Sequence, residues 1–229
     1  VTVLTNCKVQ KIDKDCVDTS LGKLKYKYSI FCGGLHSDRL AKLDKIFTKS
    51  KIVTFRGDFF RLNKNVSNRI KNLVYPVPNP KFPFLGIHFT RMMDGTIECG
   101  PNAVFTFKRE DYLKNEFSFV DAFDALSFKG TWKLFLKNWK FGLDEYKRAF
   151  SKKIFLKEIN KLVPSICEND FKYCRSGVRA ILLKEDGSIE DDFVFEKNNN
   201  NLHVINAPSP AATACLSIGD KIKSKLFEC

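Results

Sequence analysis

The chain has 229 residues, 44% hydrophobic and 28% charged, with a formal net charge of +13. Its 22 Phe exclude intrinsic disorder, because that much apolar surface does not stay solvated, and the length suffices for one sizeable core or two small domains. Eight cysteines with no Cys-x-x-Cys pair argue against a secreted disulfide scaffold and a zinc ribbon, and no apolar run reaches the roughly 18 residues of a membrane span.

In chain order, Val1 to Ile12 has strand periodicity and Asp13-Lys14-Asp15 is a turn. Cys16 to Ser20 and Lys23 to Phe31 follow as short strands around Leu21-Gly22. They read as a β-meander feeding a last strand, Tyr28 to Cys32, that runs into Gly33-Gly34. Ser37 to Leu43 is a short helix with Ser37 or Asp38 near its cap. Ile52 to Leu62 is strand-like, and Gly57 marks a bulge or a close backbone approach. Tyr75 to Pro83 holds four of the eight prolines and is an ordered extended loop. Phe84 to Arg91 and Thr96 to Cys99 form a hairpin around Met93-Asp94-Gly95. From Asp111 to Pro164 the period changes to 3.6. Phe117 to Phe128 suggests one helix, Trp132 to Trp139 continues it or starts another, and Leu143 to Phe150 and Ile154 to Leu162 complete the block. Strands return at Gly177 to Leu183, Phe193 to Glu196 and Leu202 to Asn206, and a helix from about Pro210 to Phe227 closes the chain.

The lysines are scattered along the whole chain. Such a balance suits nucleic acid or an anionic membrane. A compositional drift toward Lys, Asn and Phe explains it equally well, and no zinc-finger, RNP or basic-zipper pattern accompanies it. No nucleic-acid partner is expected. Val1 falls within a strand pattern, with neither an initiator Met nor a secretory signal, so the chain is expected to be a piece of a longer protein.

Three places break the surrounding pattern. Cys32-Gly-Gly-Leu-His-Ser-Asp38 follows a strand end, where glycines let a phosphate or ring approach the backbone; it is also simply a tight strand-to-helix turn. His88 and Arg91 lie three apart, so on a straight strand they face opposite ways and share a pocket only where the strand bends. They pair a general base with a carboxylate fork, or a structural His with a surface Arg. Asn206 to Thr213 leads into the last helix. Its N-terminus suits a developing negative charge, or is a Pro-initiated start with Ser209 as cap. No GxGxxG, Walker, GxSxG or HExxH pattern is present, so hydrolase and metalloenzyme readings fall away, and no metal site is expected.

Taken together, these stretches resemble the FAD-dependent oxidoreductases of the glycine-oxidase and D-amino-acid-oxidase superfamily. Within it, the L-2-hydroxyglutarate dehydrogenase/oxidase family is most similar. The resemblance is carried by Gly34 to Leu43, Phe55 to Phe60, Tyr75 to Arg91, Asp94-Gly95, Gly100 to Val104, Ser176 to Ala180, Asp192 to Val194 and Asn206 to Thr213. It extends over the whole chain, but the family's N-terminal dinucleotide-binding unit with its GxGxxG is missing.

The resemblance implies an α+β (α/β) fold, in which part of a Rossmann-type FAD-binding domain accompanies a β-sheet substrate domain with helices. Residues 1–48 and 169–229 would belong to the first and 49–168 to the second. It implies FAD as cofactor, a small 2-hydroxy dicarboxylate as substrate, and oxidation of L-2-hydroxyglutarate to 2-oxoglutarate, with a quinone or oxygen as acceptor. His88 is the implied base. Arg91, Arg56, Tyr75 and Arg179 are implied substrate ligands. Gly33, Gly34, Leu35, Ser37, Asn206, Pro208, Ser209, Pro210, Ala211 and Ala212 are implied flavin contacts. A mitochondrial or membrane-associated cytoplasmic setting is expected, with a peripheral membrane contact where Lys133, Lys137 and Lys140 fall among Trp132, Phe135, Leu136 and Trp139. The same stripe would equally serve as core. The alternatives are a related FAD-dependent amino-acid oxidase, or a non-catalytic basic remnant that binds membrane or nucleic acid.

Overall fold

A computed structural model describes residues 1–77, 86–208 and 211–227. In chain order the elements are β1 (Val9–Ile12), β2 (Cys16–Thr19), β3 (Gly22–Lys25), β4 (Ser29–Phe31), α1 (Ser37–Leu43), β5 (Ser50–Leu62), α2 (Lys64–Ser67), β6 (His88–Arg91), β7 (Ile97–Gly100) and β8 (Val104–Phe105). They continue as α3 (Phe119–Leu126), α4 (Lys129–Phe150), α5 (Lys152–Ile159), β9 (Phe171–Lys184), β10 (Ile189–Glu190), β11 (Val194–Asn198), β12 (Asn201–Asn206) and α6 (Cys215–Phe227). The fold is mixed α+β. It divides into two compact units, Val1–Ile52 with Ala180–Cys229, and Val53–Arg179. The crossings fall within β5 and β9, rather than near residues 48 and 168 where the sequence suggests them.

In the first unit, β1, β2 and β3 form the expected antiparallel meander. Only Val9–Ile12 of the long first strand is paired, and residues 1–6 are exposed. β4 does not prolong the meander. It pairs in parallel with β12, Ser29 opposite Asn201 and Phe31 opposite His203, and β11 flanks β12 on its other edge. A strand paired on both sides and covered on both faces has no solvent face; every residue of β12 is buried. α1 starts at Ser37, but Ser37 is not a cap. Its buried hydroxyl donates to the Ile205 carbonyl at 2.6 Å, while the Asp38 carboxylate accepts from the Ile52 amide.

The polar centre of this unit is Asp44. Its carboxylate accepts from His203 Nε2 at 2.9 Å and from Asn201 Nδ2 at 3.1 Å, and Phe31 stacks on the imidazole at 4.5 Å. Burial pushes the His203 pKa down, and Asp44 pulls against it without prevailing. His203 Nδ1 is buried without a hydrogen-bond partner, so a second ring proton would have nothing to donate to.

In the second unit the sheet order is β9-β5-β7-β6, with β8 also on β5. The β6–β7 hairpin closes through Met92 N to Thr96 O, with Gly95 at φ +80°, as Asp94-Gly95 predicts. Phe84 and Leu85, expected to open β6, lie outside the described residues, as does the Pro-rich loop from Pro78 onward. Phe60, Phe89, Ile97 and Cys99 bury one sheet face against Phe155 and Ile159 of α5 and against Phe171. Ser118 and Ser151 cap α3 and α5 by accepting from Asp121 N and Ile154 N. The two helical stretches expected between Trp132 and Phe150 run together as α4, with a kink at Asn138 (φ −123°, ψ 21°), whose side chain donates to the Leu134 carbonyl. β9 begins at Phe171, six residues before the expected Gly177, because the polar Lys172, Tyr173 and Arg175 hide its alternation.

Replacing Asp44 by Ala leaves two buried donors unmatched and should destabilise the protein by about 2–4 kcal/mol in denaturant titrations. The pH dependence has a fixed sign. Folded His203 binds a proton less readily than its ordinary value of 6.5 implies, so below that value the unfolded state holds more protons. Its contribution is complete above about pH 6.5 and declines as pH falls, so the denaturation midpoint should drop between about pH 7.5 and about pH 5.5.

Candidate functional site

On the cavity-facing side of the second unit, alternation brings Phe55, Gly57 and Phe59 of β5 beside Arg175, Gly177 and Arg179 of β9. With Pro101, Asn102 and Ala103 they wall a cavity of about 280 Å³, to which Arg56 and Val178 also contribute. Gly57 is required by proximity. A Cβ there would lie 2.4 Å from Pro101 Cβ and 3.0 Å from Asn102 O. The close approach expected at this glycine is therefore against the protein's own chain. At Gly177 a Cβ would meet nothing nearer than Phe59 Cε2 at 3.9 Å, so the space above it is open.

A buried ion network holds the wall. Arg56 donates from Nε to Asp58 at 3.1 Å, and from Nη1 to Asp111 at 3.1 Å and to the Leu113 carbonyl at 2.8 Å. Asp58, with no exposed surface, also accepts from Ser176 Oγ and Asn102 Nδ2, and its amide donates to Asn102 Oδ1. Glu145 accepts from the Ala103 amide at 2.8 Å. Burial pushes the Asp111 and Glu145 carboxyls up, with Arg56 opposing the shift at Asp111 and the Ala103 amide opposing it at Glu145. Arg56, a substrate ligand by sequence, is instead engaged by two carboxylates and a carbonyl: it holds the wall. Tertiary partners 55 residues apart leave no local trace in the sequence.

Arg175 escapes the sequence reading altogether. Its guanidinium lies 4.4 Å over Phe59 and donates from Nε and Nη2 to Glu98 Oε2 at 3.1 and 2.8 Å. Glu98 is 3% exposed and also accepts from Arg61. Burial pushes its carboxyl up, but hydrogen bonds from Arg175 and Arg61 outweigh this and hold it below the ordinary glutamate value. The signal available was the alternation Arg-Ser-Gly-Val-Arg, which sets Arg175 and Arg179 on one strand face.

His88 opens β6 opposite Gly100 and stacks on Tyr75 at 4.2 Å, with an interplanar angle of 14°. Its Nδ1 lies 3.0 Å from the Gly86 carbonyl. Desolvation lowers its pKa, the Gly86 bond opposes this, and the Arg179 charge adds to the lowering. A neutral ring that donates from Nδ1 keeps Nε2 as a bare acceptor. Arg91 lies on the other face of β6 and donates to the Ile70 carbonyl. Arg56 and Arg179 line the cavity and His88, Tyr75 and Arg91 do not, but Tyr75 stacks on His88, which is near enough to Arg179 to feel its charge.

In the first unit, parallel pairing makes β4 and β12 end on the same edge, followed by Gly33-Gly34-Leu35 and by Ala207-Pro208. In open parallel sheets, ligands bind beyond such ends. Gly34 sits at φ +52°, and a Cβ there would meet nothing within 4 Å, so bare backbone faces open space. Gly33 packs tightly, its Cβ position 2.5 Å from Leu40 Cδ1. The Ser37 and Asn206 side chains are engaged within the fold. Ser37 bonds Ile205, and Asn206 Nδ2 donates to the Glu190 and Asp192 carbonyls. Ser209 and Pro210 lie outside the described residues. Ala211 and Ala212 are in a turn, and the helix expected from Pro210 begins at Cys215. Among the described residues no group of three or more His, Cys, Asp or Glu could hold a metal ion, and no helix is long and apolar enough to cross a membrane.

Bare glycine backbone beyond parallel strand ends, in a mixed α+β chain, is a feature of nucleotide-cofactor oxidoreductases. The model of the FAD dependent oxidoreductase family matches residues 1–223, and the chain belongs to that family. It is 45% identical over 207 residues to an L-2-hydroxyglutarate dehydrogenase of Indibacter alkaliphilus, covering 90% of this chain and 52% of that protein. It is 44% identical over 210 residues to the mitochondrial L-2-hydroxyglutarate dehydrogenase of Nematostella vectensis, covering 90% and 46%. Among solved structures, dithionite-reduced L-alpha-glycerophosphate oxidase from Mycoplasma pneumoniae with FAD bound has the same fold. The TM-score is 0.67 at 20% identity, over 98% of this chain and 51% of that one. The chain spans about half the length of the curated relatives it matches.

The wall's dependence on Gly57 is open to test. Gly57→Ala must displace Pro101 and Asn102, and should destabilise the protein by about 1–3 kcal/mol, seen as a lowered Tm.

Proposed function

We propose that this chain forms part of an enzyme that oxidises L-2-hydroxyglutarate to 2-oxoglutarate with FAD as cofactor. The observation that carries the reading is a cavity lined by arginines, suited to a dicarboxylate, in a chain similar over 90% of its length to dehydrogenases of that name. Gly33, Gly34 and Leu35 are the proposed flavin contacts, through the open backbone at Gly34. A bound flavin supplies the acceptor for the hydride that leaves C2. The chain's own residues do the rest. Arg179 holds a substrate carboxylate, and the bare Nε2 of His88 takes the hydroxyl proton. Tyr75 braces the imidazole by stacking.

The test uses flavin-loaded protein expressed from its complete coding sequence. His88→Ala should lower kcat about 10²-fold or more with L-2-hydroxyglutarate while flavin content is unchanged. Because the His88 pKa lies below 6.5, the acid limb of kcat/KM should also fall below that pH. An undiminished rate would remove His88 from the proton transfer.

A mitochondrial or membrane-associated setting and a peripheral membrane contact belong to the same proposal. On α4, Leu134 is buried and Phe135 packs 4.8 Å from Phe105, whereas Trp132, Leu136 and Trp139 are exposed. Lys133, Lys137 and Lys140 flank them, which favours an interfacial helix. A membrane-bound quinone is the acceptor this contact would serve, with oxygen the alternative. Cosedimentation with anionic liposomes should be lost in the Trp132→Ala, Trp139→Ala double variant; pelleting that persists in it would refute this helix as the contact.

A further inference from the structure

We infer that Gly177 is a specificity-determining residue of the cavity, and that the space left by its missing side chain takes the carbon chain of an unbranched hydroxy acid. The inference rests on the reading above for the reaction, and adds what limits the shape of the substrate.

A glycine inside a strand weakens it, because glycine loses more freedom on folding than other residues and has no side chain to pack. Where one stands, it answers to a backbone conformation closed to other residues, to a tight approach of the protein's own chain, or to a ligand. Among the described residues of the second unit the strands hold three glycines, Gly57, Gly100 and Gly177. The fold accounts for two of them. A Cβ on Gly57 would lie 2.4 Å from Pro101 Cβ, and one on Gly100, at φ +140°, would lie 2.6 Å from the Asp58 carbonyl oxygen. Gly177 has neither cause. Its φ is not positive, and a Cβ there would meet only Phe59 Cε2 at 3.9 Å, an ordinary contact. Yet it lines the cavity of about 280 Å³.

The space beside Gly177 is apolar and held open. Phe55, Phe59, Pro101, Ala103 and Val178 share the lining. Phe59 is pinned at its edge of that space. Arg175 covers the ring at 4.4 Å and is itself bonded through Nε and Nη2 to Glu98, while Phe59 Cδ1 abuts Gly100 on β7. The ring therefore does not swing across the glycine. Apolar walls suit methylene groups and would leave a charged terminus without hydrogen bonds, so the part of a ligand that lies over Gly177 is its carbon chain. In L-2-hydroxyglutarate that part is the pair of methylenes beyond the carbinol carbon. A carbon added to residue 177 competes with them for the same space.

The experiment uses flavin-loaded protein expressed from its complete coding sequence, and measures calorimetric binding of glutarate and of oxalate beside turnover of L-2-hydroxyglutarate. Gly177→Ala should keep or raise Tm, because the fold has room for the methyl group and the unfolded chain loses freedom. It should weaken glutarate about tenfold and raise KM for L-2-hydroxyglutarate by a similar factor, as one carbon does in an apolar pocket. Gly177→Val should weaken glutarate about tenfold further; where that bulkier variant lowers Tm, the Ala variant decides. Oxalate has no methylene to lie over residue 177, and should show no difference between the unsubstituted and Gly177→Ala proteins. Unchanged glutarate binding in Gly177→Ala, equal losses for glutarate and oxalate, a lowered Tm in Gly177→Ala, or no binding of glutarate to the unsubstituted protein would overturn the role of Gly177. Glutarate weakened as stated, in a protein that does not turn over L-2-hydroxyglutarate, would uphold that role and overturn the oxidoreductase reading. Turnover with glutarate binding indifferent to residue 177 would do the reverse.

Discussion

The cavity of the second unit depends on one buried ion network, Arg56 between Asp58 and Asp111. Charges removed from water cost several kcal/mol each unless every donor and acceptor is met. Here the charges are paired: Arg56 reaches both carboxylates and a carbonyl through Nε and Nη1, and Asp58 accepts from Ser176 and Asn102. Of the two neighbours that Asp58 holds, Asn102 lines the cavity and Ser176 lies on β9 between the lining residues Arg175 and Gly177. Loss of either charge would strand its partner in the interior and release both neighbours. The network therefore holds the walls of the cavity, which Arg56 itself helps to line.

The first unit uses the same device on a smaller scale. Asp44 joins the end of α1 to Asn198, Asn201 and His203, and the Ser37 hydroxyl ties α1 to Ile205. These bonds draw the Gly33–Leu35 loop and the Asn206–Pro208 segment to one edge. The glycines make backbone approach possible; the buried polar bonds make the edge permanent.

Much of the fold was legible because local chemistry decides it. Asp94-Gly95 dictates a hairpin, the 3.6 period marks the helices between Phe117 and Leu162, and alternation marks β5. The misses share a cause. β4 reads as the end of a meander, yet its partner is 172 residues away. Arg56 reads as an available cation, because Asp111 is distant in sequence. The bonds that Ser37 and Asn206 make to the fold, to Ile205, Glu190 and Asp192, leave no trace in the local sequence. Arg175 was passed over because its significance lies in Glu98 and Gly177, neither of which looks remarkable alone. Pro210 suggested a helix start, but helical geometry is reached only at Cys215.

The pairing of β4 with β12 also bears on how the chain acquires its structure. The second unit is one uninterrupted stretch, whereas the first is assembled from both ends. During synthesis, β4 leaves the ribosome long before β12 exists, and must wait for the polymer to reach Asn201. Closing so long a loop is entropically slow, and less so once the intervening residues have already condensed. The middle of the chain would thus fold first and bring its own flanks together, and the glycine edge would be the last part to form.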